Sequence, residues 1–121
     1  MAQITGVNVT FHTTRDDKDD QDIVSISIVA RGSDSAVGAP VSVGGGNKWD
    51  NDTTVGPFFV AIAPQESSTL DLHIDKTGTD GWIYHVSVAG VVIGGGQVTL
   101  IANSQEIHFE DAVESISLPL G

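Results

Sequence analysis

Val7-Asn8-Val9-Thr10-Phe11-His12-Thr13-Thr14-Arg15-Asp16-Asp17-Lys18-Asp19-Asp20-Gln21-Asp22-Ile23-Val24-Ser25-Ile26-Ser27-Ile28 holds two alternating stretches and an acid-crowded join between them. In the first flank Val7, Val9 and Phe11 share one face, while Asn8, Thr10 and His12 share the other. In the second, Val24, Ile26 and Ile28 alternate with Ser25 and Ser27. A period of two is the mark of a half-buried strand. The join places five carboxylates within the seven positions 16–22. Carboxylates so close disfavour one another's ionisation, and a plain turn gains nothing from them. Oxygen-only ligands without cysteine are what a hard cation such as Ca²⁺ prefers. The expectation is a calcium loop on a β-scaffold; the plain alternative is a solvated loop offset by its own Arg15 and Lys18.

Outward from this stretch the alternation continues. Val37 to Val43 predicts a short strand with Pro40 at an edge or bulge. Phe58, Val60 and Ile62 begin another, closed at Pro64. Leu70, Leu72 and Ile74 make a fifth, and Trp82, Tyr84, Val86 and Val88 a sixth. Residues 91–102 are apolar but interrupted by Gly94-Gly95-Gly96, which predicts a kinked strand or two short ones. Ile107 with Phe109, and Ile116 with Leu118, close the chain. Helical spacing is not sustained anywhere. The expected fold is all-β, a single antiparallel β-sandwich of about eight strands spanning residues 1–121, with a closed barrel as second choice.

The totals narrow the function. Five Lys and Arg against sixteen Asp and Glu give a net charge of −11, which argues against a nucleic-acid surface. With no cysteine there is no disulfide framework and no thiolate metal site. Met1 to Gly6 has neither a charged start nor an apolar run, so the expected location is cytoplasmic, with leaderless export as the other route. No apolar stretch approaches the roughly 20 residues of a membrane span.

Strand parity places the loops. If successive strands run up and down, residues 14–22, 44–53 and 75–81 lie at one end. These segments carry nine of the sixteen acidic residues and four of the five basic ones. Ca²⁺ takes six to eight oxygens, more than one loop readily supplies. The leading candidate ligands are Asp16, Asp19 and Asp22 from the first loop, with Asp50 and Asp52 from the second. Asp17, Asp20 and Asp80 follow. The Gly44-Gly45-Gly46 run leaves bare backbone whose carbonyls can turn inward. A calcium helix-loop-helix is excluded, because counting from Asp17 puts Asp22 at its glycine position and Ile28 at its glutamate position.

With these residues placed, the chain resembles the PLAT domain of lipoxygenase amino termini, and the related protein-kinase-C-type calcium- and lipid-binding domain. The likeness lies in an opening strand that runs into Thr13-Thr14-Arg15-Asp16-Asp17. It continues in Leu70-Asp71-Leu72-His73-Ile74 followed by Thr77-Gly78-Thr79-Asp80-Gly81-Trp82. It spans residues 4–102. The first loop is more acidic than the PLAT pattern, and the final strands have no counterpart. The resemblance implies Ca²⁺ at the loop pole, held by Asp16, Asp19, Asp50 and Asp52, with Trp49 as a tip aromatic.

The expected function is therefore a calcium-binding module that attaches to anionic membrane lipid or a protein partner. Arg15, Lys18 and Lys48 would add attraction, and Trp49 would enter the interface. Trp49 has a second reading as a core lid. A lectin-like module is the alternative, since Trp49-Asp50-Asn51-Asp52 offers an aromatic platform beside an Asp/Asn pair for a glycan. A third is a structural or assembly protein with a stabilising Ca²⁺. No enzyme is expected: His12, His73, His85 and His108 fall on the polar phase of their strands, and neither a nucleophile elbow nor a P-loop spacing occurs.

Overall fold

The alternation in the sequence becomes nine strands among the described residues, which are 3–15, 17–18, 21–78, 81–109 and 114–121 of this computed structural model. They are β1 (Gln3–Arg15), β2 (Val24–Ala30), β3 (Val41–Val43), β4 (Thr53–Glu66) and β5 (Leu70–Lys76). β6 (Trp82–Val92), β7 (Gln97–Ile101), β8 (Ile107–Phe109) and β9 (Glu114–Pro119) follow. One sheet runs β4-β1-β6-β7, with β8 also on β6, and the other runs β3-β2-β5-β9. All pairings are antiparallel. The two sheets close face to face as a sandwich.

The apolar phase of each strand supplies the core. Val9, Phe11, Val86 and Val88 come from one sheet and Ile26, Ile28, Leu72 and Ile74 from the other. Each such side chain contributes about 1.5–3 kcal/mol by leaving water. The aromatic residues gather at one end. Phe11 stacks on Trp49 with ring centroids 5.5 Å apart, Trp82 stacks on Tyr84 at 3.8 Å, and Phe58 and Phe109 close the group. Six of the seven aromatic residues belong to it, so one pole of the sandwich rests on an aromatic slab. Trp82 Nε1 donates to Thr13 Oγ1 at 3.0 Å, which satisfies a buried polar pair inside it.

Three boundaries differ from expectation. The third strand shrinks to Val41–Val43, and upstream of it only Ala36 bridges to Val29. The fourth starts at Thr53 rather than Phe58 and runs past Pro64. β4 is the outer strand of its sheet, where proline is tolerated, and its register against β1 shifts between Ile4 and Gly6, opposite the Pro64 end. The register shifts again between Val9 and Phe11, opposite Gly56-Pro57. The Gly-rich 94–96 segment is a turn between two separate strands, which makes nine rather than about eight.

Candidate functional site at the loop pole

Strand direction brings three distant loops together, as parity predicts. Lys18 and Trp49 exchange backbone hydrogen bonds at 3.2 and 3.0 Å, so the first loop is laced to the second. The Asp52 N–H donates to the Thr13 carbonyl at 2.8 Å. The Thr77 N–H donates to the Ile23 carbonyl at 3.0 Å and ties in the third loop. β8 ends and β9 begins at the same pole, since Phe109 pairs with Trp82 and Glu114 with Lys76. That fourth connection had no place in the sequence reading.

The interior of the pole is built on lysines. The Lys18 side chain is fully buried, and its ammonium donates to the carbonyls of Asp22, Gly44 and Asn47 at 2.9, 2.8 and 2.7 Å. It also lies over the Trp49 ring, 4.9 Å from the centroid. An ammonium is costly to bury unless its donors are matched, and here charge-assisted bonds match them. Gly44 sits at φ +78, and a Cβ there would come within 2.8 Å of Lys18 Cε and 2.9 Å of Trp49 Cζ2. Lys76, also fully buried, meets Asp22 Oδ2 at 3.4 Å and the Gly78 carbonyl at 3.3 Å.

Among the described residues, the carboxylates expected to hold Ca²⁺ are engaged by lysines or exposed. Asp22 is buried against Lys76, not turned toward a shared ion. Asp17 pairs with Lys48 at 3.0 Å, and Asp50 lies 3.9 Å from the same ammonium. Asp52 is exposed, with φ +60. Asp16, Asp19, Asp20 and Asp80 fall outside the described residues. Among the described residues no three acidic or histidine side chains are grouped as a metal would require. The interior donors do not fit Ca²⁺, because ammonium groups already use them.

The contact residues also move. Trp49 is 4% exposed and stacked between Phe11 and Phe58, so it is a core lid, not a tip aromatic or a sugar platform. Lys18 is inside, not on the surface, because its ammonium finds three carbonyls and lies over the Trp49 ring. Arg15 is exposed but turns toward Glu106 at 2.9 Å. Lys48 remains half exposed between Asp17 and Asp50. Among the described residues, an exposed large apolar side chain at this pole is Ile23, 41% accessible beside buried Asp22. Its position on the polar phase before Val24 was the available signal.

Two features outside the laced loops carry chemistry-bearing groups. A cleft of about 660 Å³ opens between the sheets, lined by Ile107, Phe109, Ile116 and Leu118 with Glu106 and His108 at its rim. Glu106 is engaged by Arg15, Thr14 and His108, and the His108 hydrogen bond is the main reason its pKa lies below the ordinary 4.5. On the outer face of the other sheet His73 lies between Ser117 Oγ, 2.9 Å from Nδ1, and Asp75 Oδ1, 3.1 Å from Nε2. This is a Ser-His-Asp sequence of contacts on an outer strand face, beside a hollow of about 310 Å³ lined by Ser25, Ser27, Asp34 and Pro40.

Fold and site together define an antiparallel β-sandwich with a lysine-filled loop pole. Compared with protein-family models, curated proteins and solved structures, the chain matches none.

Proposed function

We propose that the chain is a non-catalytic binding module that works through its loop pole. In this reading Ca²⁺ is taken up on the outward carboxylates of the first two loops, Asp50 and Asp52 foremost, and bridges to an anionic lipid surface or protein partner. The observation that carries it is the lacing of the first three loops to one another above the aromatic slab, which brings Asp17, Asp50 and Asp52 to one end. The ion belongs on the rim, because the interior donors serve Lys18 and Lys76. Ile23, not Trp49, is then the apolar tip that meets the partner.

Calorimetric titration with Ca²⁺ and Mg²⁺ tests this reading. Ca²⁺ should give heat and Mg²⁺ little, since Mg²⁺ demands a tighter octahedron. Asp50→Asn/Asp52→Asn should abolish the heat and, with it, Ca²⁺-dependent sedimentation with phosphatidylserine vesicles. No heat with Ca²⁺ overturns it.

A second reading is favoured by the Lys18 cage: an interaction or assembly module whose pole needs no metal. It predicts equal melting temperatures in Ca²⁺ and in EDTA.

A further inference from the structure

The Lys18 ammonium occupies a chamber made by three backbone carbonyls from two loops, floored by the Trp49 ring. Backbone carbonyls plus an aromatic face recognise a cation of low charge density. The N···O distances of 2.7–2.9 Å exceed the 2.3–2.6 Å of a Ca²⁺ shell. They suit an ammonium ion or K⁺. Attachment to the chain makes the cation permanent. Because the cage joins Asp22 to Gly44 and Asn47, its occupant holds the first loop against the second.

We propose that the interior of the loop pole is a cation site whose occupant is the chain's own Lys18 ammonium, and that shortening Lys18 to alanine leaves a site for a primary alkylammonium ion or K⁺. The atoms removed by Lys18→Ala are three methylenes and one ammonium, which n-propylammonium restores. The inference stands apart from the Ca²⁺ reading: a silent calcium titration leaves it intact, and a failed rescue leaves the rim carboxylates untouched.

The test is the melting temperature of Lys18→Ala in n-propylammonium, potassium and tetramethylammonium chlorides at matched ionic strength. The variant should melt about 10 °C or more below the parent, since an emptied cage strands carbonyls and loosens two loops. Propylammonium should recover about half of that loss or more, potassium less, and tetramethylammonium nothing, because it has no N–H to donate. The parent and Lys48→Ala should not respond. Equal shifts from all three salts, or none, overturn the proposal. Should Lys18→Ala fail to fold, acylation of the parent decides instead. Lys48 should react while Lys18 is spared, and a Lys18 amine as reactive as Lys48 overturns the proposal.

Discussion

Lys76 and Asp22 meet at 3.4 Å with both side chains sealed from solvent, at 0% and 2% exposure. A buried pair adds little over a well-packed apolar pair, but losing one partner strands a charge in a medium that cannot solvate it. This asymmetry governs what happens when either residue is changed.

Asp22→Ala and Lys76→Met should each destabilise the fold by about 3–5 kcal/mol. The double variant should cost clearly less than the two together. Urea denaturation of the four proteins measures the cycle. Single costs under about 1 kcal/mol would mean that solvent reaches the pair. Asp22 variants are for this reason poor probes of Ca²⁺, whereas Asp50 and Asp52 are exposed and test the rim alone.

Trp49 and its neighbour Lys48 should separate sharply. Trp49→Ala removes a ring packed on Phe11, Phe58 and Trp82, at about 3–5 kcal/mol. Lys48→Ala removes an exposed partner of Asp17, within about 1 kcal/mol. Tryptophan emission should be blue-shifted and resist iodide quenching, since Trp49 and Trp82 are both buried. Emission typical of a water-exposed indole would contradict the packing.

Gly44 and Gly46 share a left-handed backbone, at φ +78 and +80, but not their surroundings. Gly46→Ala meets no heavy atom within 4 Å and should cost about 1–2 kcal/mol of backbone strain. Gly44→Ala adds collision with Lys18 and Trp49 and should cost about 1 kcal/mol or more beyond that. Equal costs would mean that the cage has room to give.

Glu106 should make stability depend on acid. Its hydrogen bond to His108, opposed by partial loss of water and aided by Arg15 and Thr14, lowers its pKa below 4.5. A carboxyl whose pKa is lower folded than unfolded stabilises above the unfolded value, and the effect fades as pH falls through the folded one. Glu106→Gln should therefore melt below the parent at about pH 7, and the gap should close as pH falls through the folded midpoint. A carbon-detected NMR titration should place the Glu106 midpoint below 4.5. A constant gap across that range would assign the effect to packing.

The sandwich was legible because its signal is local: Val24, Ile26 and Ile28, or Leu70, Leu72 and Ile74, announce a buried face by spacing alone. Convergence of the first three loops followed from strand parity, which needs only the right number of turns. The contents of the pole were not legible. Lys18 stands among Asp17, Asp19 and Asp20 and reads as a solvated counter-charge, yet its partners are backbone carbonyls, which carry no residue code. Lys76 ends a strand on the apolar phase of Leu70, Leu72 and Ile74, a hint that its side chain points inward. Trp49 lies between charged neighbours, and only the bridge to Lys18 turns its ring under the loops.

β1 lies between β4 and β6, so it is synthesised well before either of the strands it pairs with. Until Thr53 and its successors emerge, Val7, Val9 and Phe11 form a sticky nascent edge with no native neighbour within its sheet. The acidic run that follows directly then repels other growing chains from that edge during the wait. The charge of residues 16–22 thus acts on the unfinished chain before the sandwich closes.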